Sequence, residues 1–159
     1  MNRVYLRDFE LIDAEALFEI YSDKEAMKYR NTLPFETMEQ AIAYVENTAA
    51  GNNKLKSYRW VAIHKEEKAV MGTAFYKFVR DKQTVEVGVS IGRAFWSGGF
   101  GREILQLLVD TIKQELPQVK TIVAVVNKEN ISSVKMITRV GFKLAEDKGI
   151  KSQFEYKVK

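Results

Sequence analysis

Apolar residues recur at the three- and four-residue spacing of a helix with one buried face in four stretches of the chain. The first stretch follows Asp13, and the second begins at Thr37 with a capping-box pattern. The third ends before Pro117, and the fourth lies between a capping Asn130 and Gly141. The predicted buried faces are formed by Ala14, Leu17, Phe18 and Tyr21, by Met38, Ala41, Ile42 and Val45, by Ile104, Leu107, Leu108, Thr111 and Ile112, and by Val134, Ile137 and Val140.

Seven shorter stretches are rich in β-branched and aromatic residues, as expected of strands. Residues 58–64, 70–79 and 84–91 are separated by short charged turns, which predicts an antiparallel meander. Residues 121–126 are apolar without alternation, as expected of a strand buried on both faces and parallel to its neighbour across a helical crossover. The remaining strands are predicted at residues 4–6, 142–146 and 153–158.

The predicted elements follow the order βααβββαβαββ, which is typical of a mixed α/β fold with helices packed on one sheet. We expect a mostly antiparallel sheet with one parallel pair at its centre. The chain has 159 residues and no linker-like or low-complexity segment, so we predict a single domain over residues 1–159.

Charge and composition exclude several classes of function. The net charge is +4, but basic side chains are interleaved with acidic and polar ones, so we predict a solvated surface and no nucleic-acid partner. The weak excess leaves open the attraction of an anionic ligand such as a phosphorylated cofactor. The chain has no cysteine and one histidine, His64, which argues against a disulfide, a thiolate nucleophile or a bound metal. We expect His64 at the surface or at an edge of the sheet.

No stretch of the chain indicates a membrane. No apolar run approaches the ~18 residues of a membrane span, and acidic residues interrupt the N-terminal segment before any signal-like apolar run. We therefore expect a cytoplasmic protein with no membrane partner, present as a monomer or a homodimer.

The densest chemical signal is the segment 95–103, which places Gly98, Gly99 and Gly101 between a predicted strand and a helix start. Glycine lets the main chain approach a ligand closely, and the N-terminus of the following helix carries a partial positive charge. A pyrophosphate suits such a site, although a flexible strand-to-helix turn would have a similar sequence. The segment lacks the Gly-Lys-Ser/Thr of a nucleotide-triphosphate loop, and Ile104 replaces the third glycine of a dinucleotide fingerprint.

Three motifs resemble those of a known family. Residues 96–101 (WSGGFG) are similar to the Q/R-x-x-G-x-G/A cofactor loop of the Gcn5-related N-acetyltransferases, in the tryptophan form of the branch that acetylates ribosomal-protein N-termini. Residues 86–88 (EVG) resemble the E-I-G element of its fourth strand, and residues 130–142 resemble its N-x-x-S motif followed by a basic residue, one further residue and Gly-Phe. The resemblance spans nearly the whole chain in the right order, so it implies this family's fold and cofactor.

In that family acetyl-CoA enters a V-shaped opening where the fourth and fifth strands splay apart, and the resemblance implies the same opening here. It implies that residues 89–91 pair with the pantetheine amides and that the loop through Arg102 holds the pyrophosphate, with Asn130 near the pantetheine arm. The implied cofactor-binding residues are Val89, Ser90, Ile91, Trp96, Ser97, Gly98, Gly99, Phe100, Gly101, Arg102, Asn130 and Ser133.

The resemblance also implies catalytic roles. Ser133 becomes the candidate acid for the departing thiolate, because the tyrosine used by many members of the wider family falls at Ile137. Glu86 alternates with apolar neighbours and projects to the substrate side, where it could take the amine proton directly or through water. Val89 is the candidate oxyanion donor, through an N–H group freed by the splay. The alternatives are an ordinary exposed strand glutamate for Glu86 and a local helix cap for Ser133.

We therefore predict an acetyl-CoA-dependent N-acetyltransferase with no metal and with a primary amine as acceptor. Tyr29, Arg30 and Asn31 lie where the family builds its acceptor wall, and we assign them to the substrate. A non-catalytic acyl-CoA-binding module is the alternative, and a nucleotide-binding Rossmann-like protein is a third hypothesis. The predicted acceptor is a protein or peptide α-amine, or a small amine, in preference to an internal lysine, whose ordinary pKa is about 2.5 units higher.

Overall fold

The computed structural model describes residues 2–30 and 32–158. Its elements follow the order βααβββαβαββ predicted from the sequence. The strands are β1 (Val4–Arg7), β2 (Ser57–His64), β3 (Val70–Phe78), β4 (Thr84–Ile91), β5 (Thr121–Asn127), β6 (Lys143–Lys148) and β7 (Lys151–Lys157), and the helices are α1 (Ala14–Ser22), α2 (Met38–Gly51), α3 (Phe100–Glu115) and α4 (Ile131–Val140).

The seven strands form one mixed sheet with the order β1-β2-β3-β4-β5-β7-β6. Neighbouring strands are antiparallel except β4 and β5, which are parallel because α3 carries the chain back across the sheet between them. The antiparallel meander of β2, β3 and β4 and the parallel central pair are therefore confirmed. The hairpin of β6 and β7 completes the sheet on the side of β5.

Helices cover the two faces of the sheet over separate hydrophobic cores. The larger core lies under α3 and α4, and it buries Leu108 of α3 against Val87 of β4 and Ile122 of β5. The smaller core lies under α1 and α2, where Leu17 and Tyr21 are buried together with side chains of β2. Because α1 and α2 pack mainly on each other and on β2 and β3, they form a wall beside the centre of the sheet.

The buried side of α3 is broader than the single stripe predicted from the spacing. Leu105 and Val109 are buried, whereas Leu107 and Thr111 are only half-buried. The reason is that α3 packs against α4 as well as against the sheet, so two adjacent faces of the helix are covered. No helix in residues 2–30 and 32–158 has the length and apolar character needed to cross a membrane.

The helix ends depend on local side-chain bonds that the sequence predicted. The Thr37 hydroxyl accepts a hydrogen bond from the Gln40 N–H at 3.3 Å, and the Gln40 side chain accepts from the Thr37 N–H at 3.2 Å, as in a capping box. At the start of α4, the Asn130 side chain accepts a hydrogen bond from the Ser133 N–H at 3.3 Å. Gly141 ends α4 in the left-handed region with φ of 118°.

Asp13 lies at the start of α1 as predicted, but its side chain does not cap the helix. The buried carboxylate instead accepts hydrogen bonds from the Arg7 guanidinium at 2.8 and 2.9 Å and from the Glu10 N–H at 2.8 Å. A short 3-10 turn precedes α1 and turns this side chain back toward β1. Asp13 therefore fixes the connection between β1 and α1.

Candidate active site

An opening lies at the centre of the sheet, between β4 and β5. The two strands pair only where Thr84–Glu86 of β4 lies beside Thr121–Val123 of β5. Beyond this short ladder β4 continues to Ile91 and stays paired with β3, while β5 continues to Asn127 and stays paired with β7. The splay implied by the family resemblance is thereby confirmed.

The direction of the backbone decides which groups of β4 face the opening. The Gly92 N–H donates to the Met71 carbonyl of β3 at 2.8 Å, so the even-numbered residues of this segment turn their polar groups toward β3. Val89 and Ile91 therefore turn their N–H and C=O groups toward the opening, and those of Ser90 face β3. An extended ligand laid along this edge can bond to β4 as an additional strand would.

Trp96 forms a hydrogen bond with one of the backbone groups that face the opening. Its indole Nε1 donates to the Ile91 carbonyl at 3.0 Å, which leaves Val89 with both polar groups unused beside the gap. The indole also lies 5.9 Å from the guanidinium of Arg93, which is ion-paired with Asp23 at the end of α1. Trp96 therefore fastens the loop after β4 to the end of that strand.

The loop between β4 and α3 presents a run of free backbone N–H groups. Those of residues 97–102 donate to no acceptor in the described chain, and the first bond of α3 runs from the Glu103 N–H to the Gly99 carbonyl at 3.1 Å. Ser97 and Gly99 have positive φ angles of 69° and 78°, which lets neighbouring N–H groups converge on an anion. Arg102 is exposed and has no ion pair among the described residues. These groups fit a pyrophosphate at the N-terminus of α3.

Arg3 of the N-terminal segment holds this loop in place. Its Nε donates to Glu103 Oε1 at 2.8 Å, its backbone N–H donates to Glu103 Oε2 at 2.7 Å, and its Nη2 donates to the Gly98 carbonyl at 3.0 Å. Its guanidinium lies 4.1 Å from the centre of the Phe100 ring. Burial by itself would raise the pKa of Glu103, but the hydrogen bonds and the charge of Arg3 hold that pKa below its ordinary value.

Arg3 was not predicted as a site residue because 100 residues separate it from Glu103 in the sequence. The available signal was Glu103 itself, an acidic residue next to the apolar stripe of α3. A carboxylate with only 9% of its residue surface exposed requires a partner, and Arg3 supplies one.

His64 packs beneath the same loop, so the expected surface or edge position was wrong. It is 8% exposed, and its ring centre lies 6.4 Å from that of Phe95 and 5.5 Å from that of Phe100. Its Nδ1 accepts a hydrogen bond from the Glu67 N–H at 3.2 Å. The residue is covered because β1 pairs outside β2 and the loop folds over the strand end. Nowhere in the described chain do three or more potential metal ligands come together.

The glycines of the loop have different structural roles. Gly99 adopts a positive φ, which a β-carbon would strain. A β-carbon at Gly98 would lie 2.7 Å from the Phe100 ring, and one at Gly101 would lie 2.9 Å from Met136 Sδ of α4. Gly101 therefore allows the close approach of α3 to α4.

Glu86 lies on the sheet face that carries α1 and α2. It alternates with Val85 and Val87, which are buried in the larger core on the opposite face. Its half-buried carboxylate forms no hydrogen bond or ion pair within the described residues, and its register neighbour on β3 is Lys77. An unpaired carboxylate beside the opening is available to an approaching amine.

Ser133 lies on the other side of the sheet, in the first turn of α4. The cap of this helix is the Asn130 side chain, so the Ser133 hydroxyl is not needed for capping and has no partner among the described residues. Ile137, the position of the tyrosine in other members of the family, is 4% exposed and belongs to the larger core. Glu86 and Ser133 therefore lie beside the opening on opposite faces of the sheet. Their catalytic roles remain predictions.

The segment between α1 and α2 contacts the connection that follows β5, at one end of the opening. The Tyr29 hydroxyl donates to the Glu129 carbonyl at 3.4 Å, in the connection between β5 and α4. The guanidinium of Arg30 lies 4.8 Å from the centre of the Tyr21 ring. Asn31, the third residue assigned to the substrate, lies outside the described residues.

A mixed sheet that opens between parallel central strands, beside a helix start with free N–H groups, offers a strand edge and an anion site to one long phosphorylated ligand. The family model of the acetyltransferase (GNAT) domain matches residues 3–143, and the chain belongs to this family of acetyl-CoA-dependent acetyltransferases. An uncharacterized N-acetyltransferase of Bacillus licheniformis, p20, is 32% identical over 142 residues, which cover 89% of this chain and 79% of that protein.

Solved structures share the fold. The GNAT acetyltransferase from Bacillus anthracis has a TM-score of 0.84 at 21% identity and covers 99% of this chain and 95% of its own. The microcin C7 self-immunity acetyltransferase MccE, solved with acetyl-CoA and AMP, has a TM-score of 0.84 at 17% identity, covering 99% and 94%.

The names of two further solved structures give different acceptors. RimL, the α-N-protein acetyltransferase of ribosomal L7/L12, was solved with coenzyme A and has a TM-score of 0.83 at 13% identity, covering 99% of this chain and 96% of its own. Spermidine N-acetyltransferase of Vibrio cholerae, solved with CoA and spermine, has a TM-score of 0.78 at 16% identity, covering 98% and 94%. At these identities the likeness establishes the fold.

Proposed function

We propose that the protein transfers an acetyl group from acetyl-CoA to a primary amine, which is a protein or peptide α-amine or a small amine of lowered pKa. The observation that carries the proposal is the opening between β4 and β5, where an unpaired strand edge lies beside the free N–H groups of residues 97–102. Coenzyme A has both matching parts, because its pantetheine arm is extended and contains amides and its other end carries a pyrophosphate.

In the proposed reaction the amine approaches from the face that carries Glu86. As the nitrogen attacks the thioester carbonyl, Glu86 accepts the proton that the nitrogen loses, directly or through one water. The Val89 N–H donates a hydrogen bond to the oxyanion of the tetrahedral intermediate. When the C–S bond breaks, the Ser133 hydroxyl gives its proton to the sulfur and regains one from solvent. The products are an amide and the free thiol of coenzyme A.

The acceptor class follows from the chemistry available at the site. At pH 7 roughly one α-amine in six is neutral, against about one lysine in 2,500, a difference of about 3.4 kcal/mol. A site whose candidate groups are one carboxylate and one hydroxyl is better suited to the amine that is already partly neutral. RimL acts on an α-amine and the Vibrio cholerae enzyme on spermidine, so both acceptor classes occur on this fold.

Thiol release from acetyl-CoA tests the proposed function. The panel contains peptides with free N-termini, lysine peptides with blocked N-termini, and polyamines. We expect release to depend on the amine and to be faster with the free α-amines than with the blocked lysine peptides. Faster turnover of the blocked lysine peptides would contradict the acceptor class, and binding of coenzyme A without release from any amine would favour the acyl-CoA-binding module.

A further inference from the structure

Two half-buried arginines on the acceptor side have no acidic partner. Arg3 and Arg7 are also half-buried, but each of them is ion-paired with a buried carboxylate. Arg30 and Arg59 form no ion pair with any described residue. A partly desolvated cation without a counter-charge is unfavourable, so these two positions lack a negative charge that a ligand can supply.

The two arginines flank one hydrogen-bonded pair of side chains. The guanidinium of Arg30 lies 4.8 Å from the centre of the Tyr21 ring, and the Tyr21 hydroxyl lies 2.6 Å from Thr73 Oγ1. Arg59 Nη1 donates to the same Oγ1 of Thr73 at 3.4 Å. Arg30 comes from the segment after α1 and Arg59 from β2. The fold therefore brings two cations that are distant in the sequence to one surface, the arginine wall.

One buried donor on this wall lacks a partner. Arg30 Nε is buried without a hydrogen bond among the described residues, whereas the Tyr44 hydroxyl is within side-chain hydrogen-bonding reach of Tyr21. Tyr44 packs edge to face on Tyr21 at 5.5 Å between ring centres. Burial is the main reason that the pKa of the Tyr44 hydroxyl is raised, so this group stays a neutral donor at physiological pH. Buried donors in native proteins are nearly always satisfied by protein, water or ligand, so Arg30 Nε is available to an acceptor atom at this site.

The wall lies close to the proposed reaction centre. The Phe75 ring covers Gly88 of β4, where a β-carbon would lie only 2.3 Å from it, and the Arg59 guanidinium lies 4.3 Å from the centre of the same ring. Glu86 is on this face of β4 as well. Arg59 and Glu86 are two strands and two residues apart in the sheet register, so about 12 Å separates their backbone positions.

Space for a ligand is open beside Arg59. A cavity of about 320 Å³ lies between the C-terminal half of α2 and strands β2 and β3, a volume at the lower end of small-ligand sites. Its lining contains the cations Arg59 and Lys77, the Phe75 ring and the amides of Asn47 and Asn52, and no acidic side chain. The cavity presents positive charge from Arg59 and Lys77, while Arg30 and Tyr44 lie outside its lining.

We propose that the acceptor carries an oxyanion group, a carboxylate or a phosphate, several bonds from its amine, and that Arg30 and Arg59 bind this group. The proposal rests on the proposed function and names the class of its acceptor. In this complex the amine lies at Glu86 and the oxyanion group is bound by the guanidinium groups of Arg30 and Arg59. A polyamine has no anionic group that the two arginines can bind, and its positive charges are repelled by theirs.

Matched acceptor pairs test this proposal through thiol release from acetyl-CoA. One pair of peptides with free N-termini differs only by Asp against Asn near the amine, and a second pair differs only by phosphoserine against serine. We expect the acidic member of at least one pair to have a kcat/KM about 10- to 100-fold higher, as for a hydrogen-bonded charged group. A preference in one pair alone identifies carboxylate or phosphate as the recognised group.

Variants assign the preference to the two arginines. In Arg30→Gln and Arg59→Gln the preference for the acidic peptide over its neutral partner should fall toward unity, through a higher KM for the acidic peptide. Arg139→Gln, which removes an exposed arginine of α4, should keep the preference. Arg59→Lys retains the charge. If it keeps the preference for the acidic peptide that Arg59→Gln loses, the loss comes from the missing charge and not from misfolding.

The outcomes separate this proposal from the proposed function. If no peptide is acetylated while coenzyme A binds, the proposed function fails. If both members of each pair are acetylated equally well by the wild type, the anion proposal is overturned and the proposed function stands. Equal losses on acidic and neutral peptides in both arginine variants would also overturn it, because they indicate a structural role.

Discussion

The two sides of the central opening differ in how their charges are balanced. On the cofactor side, the charge of Arg3 is matched by Glu103, and Arg3 also fixes the loop through the Gly98 carbonyl. On the acceptor side, Arg30 and Arg59 have no carboxylate among the described residues. The loop beside α3 is therefore organised without a ligand and offers mainly backbone N–H groups, whereas under our proposal the acceptor supplies the charge that balances Arg30 and Arg59.

The largest expected effect concerns the carboxylate on the acceptor face. Glu86→Gln should lower kcat by about 10²–10⁴-fold, because the variant lacks the proton acceptor. The affinity for coenzyme A should stay the same, since Glu86 is not on the cofactor side. Steady-state kinetics over a pH series measure the effect. Glu155→Gln removes a carboxylate from β7, which lies two strands away from β4, and serves as the control. A loss of less than about threefold would show that Glu86 is not the base.

The second effect concerns the hydroxyl on the cofactor side. Ser133→Ala should lower kcat by about 10²-fold with little change in the affinity for coenzyme A, because a proton donor to sulfur acts only as the thiolate leaves. Kinetics and calorimetric titration together measure this separation. Ser132→Ala is the matched control, since Ser132 is an exposed neighbour in the same helical turn. Equal kcat values for the two variants would exclude the proposed role of Ser133.

Arg3 and Arg7 sharpen the comparison because both belong to the N-terminal segment and both pair with a buried carboxylate. Either arginine changed to Ala should lower the free energy of unfolding by about 1–3 kcal/mol, measured by urea denaturation. Only Arg3→Ala should also weaken coenzyme A binding, by about 10-fold, because only Arg3 fixes the loop at Gly98. Coenzyme A affinities that fall equally in both variants would contradict a specific role of Arg3.

The smallest effect is a pH dependence of stability. The folded protein holds the pKa of Glu103 below its ordinary value of 4.5, so the stabilising contribution of Glu103 is present above that value. It is lost as the pH falls through the lower folded-state pKa. Wild-type Tm should therefore fall more steeply than that of Glu103→Gln between about pH 5 and pH 3. Parallel Tm curves for the two proteins would contradict the ion pair with Arg3.

The parts of the molecule that the sequence predicted are those determined by local pattern. The helices and strands follow from periodicity, the cap of α4 from Asn130, and the loop with free N–H groups from clustered glycines. Arg59 was missed because its contact with Thr73 depends on the register of two strands, and the indole bond of Trp96 depends on the path of the loop. The position of His64 was wrong because burial is decided by elements distant in the sequence.

Backbone-amide NMR of the labelled protein, titrated with coenzyme A, tests most directly whether this ligand occupies the opening. The amide signals of residues 97–102 and of Val89 should shift together and saturate, because these N–H groups are free in the opening. An equal titration with NAD should leave them unchanged. Saturable shifts confined to other parts of the chain, or a response of residues 97–102 to NAD and not to coenzyme A, would contradict the assignment of the cofactor site.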